Sequence, residues 1–590
     1  MKFSFGTVTA VLAAAHSTVA VGPWPVGFKP PGLIKGTFSP GVSDKVAAAS
    51  HGRSKGYCGP DPGTPNGGGG GGGHGGSTPP APMFGWGTFD QPIDHNNPHL
   101  GTFSQRFWYS TEFWKGPGSP VVLTCPGEQS GTDWNATYLS NQRITGYFGE
   151  AVGGAVVILE HRYWGESSPY EQLTVKNLQY LTVDQALRDF TYFANNWVPP
   201  FDTSGKSKPT KAPWVLAGGS YAGALAGWEA NLAAGQPEAK DHTSPFWAYY
   251  ATSGVVEAIG DFWQYFEVVR QATPQNCSID LTNVASYIDN VLQHGTNAQK
   301  LALKTSFKLQ DLTDGDFART LSIGPLLLQS TQFFSTPLYG SSPYYQFCDY
   351  IENVWDGSGN PVPGKSGVGV TKALAGYAKW TIDYLLPDFC DVYGYDDFQG
   401  TYNTECLRFT NASSSMYFDI TPGNFVGRQY WWLLCNNPLA WFQTAAPVGH
   451  PTIVSRQLDY NYFLEICNAQ FPAMAGGFGL EHGTTIAGFN GYTGGWSVPP
   501  SRTPRIIYTN GEVDPWRAAS VSSSQRPGGP LASSANVPVT VVQGGSHCSD
   551  AYAENWAVNP GVKAIVDAEA ATMLRWTNEF YSIKHIAKPT

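Results

Sequence analysis

Short apolar runs recur along the chain, each a few residues long and bounded by turn-forming residues. They do not alternate with polar positions, which is typical of strands buried on both faces of a sheet. Helical patterns lie at 183–195 and 225–234, and a final helix places Val562, Ile565, Val566, Met573, Trp576 and Phe580 on roughly one face. The predicted strands are 120–124, 155–159, 214–216, 246–250, 505–508 and 538–542. We therefore predict an α/β fold with a mostly parallel sheet and helices on both faces.

The pattern divides the chain into segments. Residues 1–20 are predicted to be a signal peptide, with Lys2 before an apolar run and small residues at the cleavage point. Residues 21–83 are rich in Gly and Pro, which predicts a flexible leader or propeptide. The short apolar runs that predict strands recur in residues 84–260 and 501–590 and are missing from residues 261–500. We interpret 261–500 as a large helical insertion into the sheet domain, forming a cap.

Composition narrows the class of function. The formal net charge is −10 and only 14 % of residues are charged. A negative chain without basic patches is not expected to bind nucleic acid. No later apolar stretch is as long as a membrane span, so we expect a secreted, extracellular protein without a membrane partner. The sequence does not indicate an oligomeric state.

Nine cysteines in an exported chain predict disulfides with one cysteine left over. Cys277 and Cys348 are one possible pair, but spacing does not fix the connectivity. No C-x-x-C pair is present, so neither a metal nor a cofactor is predicted. Glycosylation sequons stand at Asn135, Asn276 and Asn411.

The candidate chemistry begins with the sequence GGSYAG at 218–223, directly after a predicted strand. A serine between small residues at a strand-to-helix turn is typical of a nucleophile elbow, although a plain tight turn has the same appearance. Asp514 and His547 follow the two last predicted strands. Serine, acid and histidine then occur in the chain order of the α/β-hydrolase triad, which predicts an acyl-transfer enzyme.

Several longer motifs agree with one family. They are FDQPIDH (89–95), EHRYWGE (160–166), NLQYLT (177–182), NGEVDPW (510–516) and GGSHCSD (544–550). They resemble the prolyl carboxypeptidase and dipeptidyl peptidase II family of serine peptidases, and are most similar to its fungal acid prolyl endopeptidase branch. The resemblance implies an α/β-hydrolase with a helical cap and the catalytic residues Ser220, Asp514 and His547. Ala222 stands where many relatives have glycine.

The resemblance also implies cleavage after proline at acidic pH, with peptides or proteins containing proline as substrates. Trp516 matches the family's pocket tryptophan. For the oxyanion we expect the backbone N–H of Tyr221 and a second donor near Gly127 or Glu128. Glu160 and Arg162 are interpreted first as a structural ion pair or as support for the site, and second as substrate contacts. The sequence leaves open whether the enzyme acts as an endopeptidase, a carboxypeptidase, a dipeptidyl peptidase or a carboxylester hydrolase.

Overall fold

A computed structural model describes residues 83–132, 135–234, 243–335, 342–424, 426–472, 485–498 and 504–589. The predicted signal peptide and the predicted leader up to residue 82 lie outside the described residues.

An eight-stranded sheet organises the chain, in the order β1-β2-β4-β3-β5-β6-β9-β10. Strands β4, β3, β5, β6, β9 and β10 run parallel, and β1 and β2 form an antiparallel pair at one edge. The strands are β1 (Phe84–Pro92), β2 (Thr102–Ser110), β3 (Val121–Thr124), β4 (Ala155–Leu159), β5 (Trp214–Gly219), β6 (Ala248–Thr252), β9 (Ile506–Gly511) and β10 (Val539–Val542), and a separate parallel pair comprises β7 (Ile259–Asp261) and β8 (Ala440–Phe442).

Helices cover both faces of the sheet because alternate strand residues point to opposite sides. Leu123, Leu216 and Tyr508 lie in the core beneath the helices Val183–Asn196 and Ser220–Ala233. On the other face Val122 and Val215 lie in the core beneath the helices Ile144–Val152 and Pro560–Lys584. This is the α/β-hydrolase arrangement, and the predicted fold class is confirmed.

The edge pair β1 and β2 was not predicted from the apolar pattern. β1 reads FGWGTFDQP, and its first seven residues alternate between exposed and half-buried positions, so it carries no continuous apolar run. The strand predicted at 246–250 is β6, which lies two residues further on, at Ala248–Thr252.

Between β6 and β9 the chain is mostly helical. The α-helices there are Gln264–Ala272, Gln275–His294, Asn297–Ser306, Asp314–Leu326, Pro343–Ile351, Val370–Trp380, Ser415–Phe418, Arg428–Asn436, Tyr460–Gln470 and Ile486–Thr493. The helices Asn135–Tyr138, Val175–Leu178 and Ala553–Val558 complete the described α-helices. The domain boundaries predicted at 84, 261 and 501 stay a prediction.

Three disulfides lie in this helical part: Cys277–Cys348, Cys390–Cys406 and Cys435–Cys467. Cys125 and Cys548 are buried free thiols, and Cys58 lies outside the described residues. The described part therefore departs from the expectation of a single unpaired cysteine. No helix in the described ranges is both long and apolar enough to cross a membrane.

Candidate active site

Ser220 stands at the turn between strand β5 and the helix Ser220–Ala233. Its φ is 56°, in the left-handed region that few non-glycine residues adopt. A Cβ at Gly218 would lie 2.2 Å from the Ala222 carbonyl oxygen, and one at Gly223 would lie 2.9 Å from the Thr252 carbonyl oxygen. The turn therefore has the tight backbone packing of a nucleophile elbow, which requires glycine at both positions.

The alanine at position 222 fits this turn. Its side chain is 5 % exposed, and its Cβ lies 3.7 Å from where a Cβ of Gly127 would stand, an ordinary contact distance. The departure from glycine is accommodated because Gly127 itself has no side chain on that side.

Asp514 and His547 form a buried hydrogen-bonded pair. The Nδ1–H of His547 donates to Oδ1 of Asp514 at 2.9 Å, and the backbone N–H of Trp516 donates to the same oxygen at 2.9 Å. Both side chains are fully buried. Since Nδ1 carries the proton, the neutral imidazole presents a lone pair at Nε2, and that nitrogen has no hydrogen-bond partner among the described residues.

The three predicted residues follow the carboxyl ends of the parallel strands β5, β9 and β10, which lie at the same side of the sheet. Gly219 precedes Ser220, and Cys548 follows His547. These two residues pack together: a Cβ added at Gly219 would lie 3.3 Å from the Sγ of Cys548. The Cys548 N–H donates to the Ser253 hydroxyl at 2.8 Å, which fixes the histidine loop beside β6. The structure thus places the loops of the predicted serine, acid and histidine side by side, with a hydrogen bond between the acid and the histidine.

Opposing effects act on the protonation of His547. Burial, the largest single effect, would on its own lower the pKa of His547, but Asp514 and Cys548, through their charges and hydrogen bonds, together raise that pKa well above its usual value. Asp514 therefore stabilises the imidazolium that forms when the histidine accepts a proton.

The residues predicted for the oxyanion lie next to this edge. Tyr221 is the second residue of its helix, so its backbone N–H has no acceptor within the helix. Gly127 follows β3 with φ of 76° and packs against Ala222. Its N–H makes only a 3.4 Å contact with the Cys125 sulfur.

Glu128 places a carboxyl group in the same region. The side chain is 2 % exposed, and Oε2 has no partner among the described residues. Burial raises the pKa of Glu128 to about 7, against the weaker opposing effects of its own backbone N–H and of His547. The group is therefore protonated in mildly acidic solution.

Trp516 lies in an aromatic cluster beside the histidine. Its ring centre is 6.3 Å from that of His547, 5.2 Å from Tyr265, 5.8 Å from Phe262 and 6.1 Å from Trp441. Its Nε1–H donates to Gln329 Oε1 at 2.7 Å. The last four of these partners come from the segment between β6 and β9, and they were not identified from the sequence because no local motif marks them.

The interpretation of Glu160 and Arg162 as one ion pair was wrong. Glu160 pairs with Arg106, whose Nη2 donates to Oε1 at 2.7 Å. Arg162 pairs with Asp189 through two hydrogen bonds of 2.7 and 2.5 Å. Both pairs are buried, and they connect the loop after β4 to β2 and to the helix Val183–Asn196.

The glycosylation candidates stay predictions. The side chain of Asn135 lies outside the described residues, although its backbone begins a short helix. Asn276 and Asn411 are partly exposed. Asn276 lies at the start of the helix Gln275–His294, where its amide contacts Glu352.

Comparison with known proteins shows the family of the chain. The family described as serine carboxypeptidase S28 matches residues 91–565. The chain belongs to this S28 family. It is similar to Serine protease vicPa of Bipolaris victoriae, at 38 % identity over 85 % of this chain and 90 % of the relative. It is also 31 % identical to a probable extracellular serine carboxypeptidase of Arthroderma benhamiae, over 74 % of this chain and 59 % of that protein.

The S28 match shows that the protein is a serine-type peptidase, which acts on peptides or proteins. Among solved structures, an esterase of Pyrobaculum calidifontis aligns with 84 % of this S28 chain and 86 % of its own, at 10 % identity and a TM-score of 0.28.

Proposed function

We propose that this S28 peptidase hydrolyses peptide bonds on the carboxyl side of proline, with Ser220, His547 and Asp514 as its catalytic triad. The observation that carries the proposal is the buried Asp514–His547 hydrogen bond, which leaves Nε2 of the histidine without a hydrogen-bond partner in the described part of the chain. A base held in this tautomer by a carboxylate is what serine acyl transfer requires.

In the proposed reaction Nε2 of His547 takes the proton of the Ser220 hydroxyl as the hydroxyl oxygen attacks the carbonyl carbon of the proline residue. Asp514 stabilises the imidazolium, and the N–H groups of Tyr221 and of Gly127 or Glu128 bind the oxyanion. His547 then protonates the leaving amine, and the carbonyl stays on Ser220 as an ester. Water, activated by His547, hydrolyses that ester and restores the enzyme.

Proline preference is supported by the aromatic cluster around Trp516, in which Tyr265 and Trp441 lie edge-on to the indole ring. Such rings give a pyrrolidine a wide apolar contact area. The resemblance of the NGEVDPW motif to prolyl-specific relatives supports the same assignment.

Activity at acidic pH is part of the proposal. It is supported by Glu128, whose protonated form places no negative charge near the proposed oxyanion donors. The raised pKa of His547 acts in the opposite direction, because the imidazolium cannot accept the serine proton. The fall of activity on the acidic side of the pH profile is therefore the strictest test of the proposed activity at acidic pH.

We also propose secretion, with residues 1–20 as signal, 21–83 as leader and 261–500 as cap. The name of the Arthroderma benhamiae relative supports an extracellular location. The same name supports carboxypeptidase action as a second candidate for the mode of cleavage.

The test uses a long peptide with one internal proline and both ends blocked, with fragment masses as the readout. Cleavage after the proline supports the endopeptidase. Cleavage only when the carboxyl terminus is free supports the carboxypeptidase. Cleavage at other residues, or of short aryl esters alone, overturns the prolyl assignment.

The Ser220→Ala variant tests the nucleophile and should lose turnover while keeping its fold. Ser119→Ala is the matched control, since Ser119 is equally buried, its hydroxyl has no partner among the described residues, and it precedes β3 at the opposite edge of the sheet. Turnover retained in Ser220→Ala contradicts the triad.

A further inference from the structure

Gln329 connects the cap to the aromatic cluster of the site. It is fully buried in the short 3-10 helix Leu327–Ser330. Its Oε1 accepts two hydrogen bonds, from Trp516 Nε1 at 2.7 Å and from the Tyr265 hydroxyl at 2.8 Å. Trp516 Nε1 can only donate, so the group facing it is the amide oxygen.

The orientation of this amide leaves its NH2 group without an acceptor. Within the described part of the chain, Gln329 Nε2 is buried and has no hydrogen-bond partner. A buried N–H group without a partner is costly, and each one in a native protein calls for an explanation, such as a bound water or ion or a functional role.

The backbone around Gln329 holds the histidine loop. The Ser546 hydroxyl donates to the carbonyl oxygens of Leu328 and Gln329, at 3.0 and 3.2 Å. Gln332 Nε2 donates to the His547 carbonyl oxygen at 2.9 Å. One segment of the cap thus contacts the loop of the base and, through Trp516, the loop of the acid.

An acceptor for the free amide is available in the proposed substrate. A peptide residue that rests against Trp516 and Tyr265 brings its own backbone with it. Proline has no N–H, and its own carbonyl oxygen is bound by the proposed oxyanion donors, so the acceptor left for the amide is the carbonyl oxygen of the residue before it.

We propose that Gln329 determines specificity in the acyl pocket: its oxygen fixes the Trp516 and Tyr265 rings, and its NH2 group donates to a backbone carbonyl oxygen of the bound peptide. The inference rests on the proposed function, because it takes the Trp516 cluster as the site of the proline ring.

Two variants distinguish the role of the Gln329 amide oxygen from the role of its NH2 group. Gln329→Leu removes both. Gln329→Glu keeps the acceptor for Trp516 and Tyr265, and it can donate only while its carboxyl is protonated. Each is compared with the native enzyme by kcat and KM on a proline peptide and on the matching alanine peptide. The rate at which a fluorophosphonate labels Ser220 reports separately on the triad.

For Gln329→Leu we expect kcat/KM on the proline peptide to fall about ten- to a hundredfold, the range for a lost buried hydrogen bond, with Ser220 labelling kept. For Gln329→Glu we expect the ratio of its kcat/KM to the native value to fall as pH rises. A ratio that does not change with pH, or native proline selectivity in Gln329→Leu, overturns the proposal.

These results are distinguishable from failure of the proposed function itself. If the native enzyme is not labelled at Ser220, the triad is wrong. If it is labelled but cleaves proline and alanine peptides equally, the prolyl assignment is wrong. Gln329→Glu also keeps the test decisive if Gln329→Leu does not fold.

Discussion

Replacing Glu128 by Gln should remove an alkaline fall in activity. The carboxyl is buried next to the predicted oxyanion donors, and burial raises its pKa to about 7. As pH rises through this value the group ionises. The new negative charge then lies near the position where the substrate oxygen itself becomes negative, so the transition state is disfavoured.

The size of the effect follows from the titration. With a pKa of about 7, roughly nine in ten molecules are protonated at pH 6 and roughly one in ten at pH 8. If only the protonated form is active, kcat/KM falls about tenfold per pH unit above pH 8. Glutamine keeps an acceptor for the backbone N–H of residue 128 but never ionises, so the variant's kcat/KM should not fall above pH 8.

The assay is kcat/KM on a proline peptide from pH 4 to 9, for the native enzyme and Glu128→Gln. The acid limb reports His547, which must lose its proton to act as a base, and the substitution should move it less than the alkaline limb. An alkaline fall that survives unchanged in Glu128→Gln would refute the reasoning. So would a native profile that is level up to pH 9.

Three further substitutions test the site and its support. Asp514→Asn should lower kcat by about 10⁴ with the fold retained, because the amide would favour the wrong tautomer of His547; near-native turnover contradicts the acid assignment. Arg162→Met should cost about 3–5 kcal/mol in urea unfolding, since it leaves Asp189 buried without its partner; a loss below about 1 kcal/mol contradicts this. Glu569 has a folded-state pKa well above its ordinary 4.5, from burial and from Asp550. Its unfolded form ionises first, so native stability should fall by up to about 1.4 kcal/mol per pH unit above about pH 4.5. Glu569→Gln should flatten this dependence of the melting temperature, and parallel curves for the two proteins would disprove it.

The central sheet could be predicted from the sequence because its parallel strands are buried on both faces. Val121–Thr124 and Ala155–Leu159 are wholly apolar or nearly so, and both are fully buried. The edge strand Phe84–Pro92 could not be found in this way. Every second residue in its first seven positions is exposed to solvent, so apolar and polar or small residues are mixed along the strand.

The candidate triad could also be predicted, because each member follows a strand and the strands end at a common edge. The partners from the cap could not. Gln329 and Tyr265 contact Trp516 although they lie 187 and 251 positions before it in the sequence, and no local motif around either residue indicates the contact. The pairing of Arg162 with Asp189, rather than with the nearby Glu160, likewise depends on how the helix Val183–Asn196 packs.

The positions of the disulfides separate two kinds of attachment in this chain. All three described bridges begin and end between residues 277 and 467, and within the described ranges none ties this helical part to a sheet strand. The contact with the catalytic loops consists of reversible bonds such as that from Ser546 to Leu328. The bridges thus cross-link the helical part to itself, and its described side-chain contacts with the catalytic loops are non-covalent. A reducing agent would therefore act within the helical part and would leave the hydrogen bonds to the histidine loop in place.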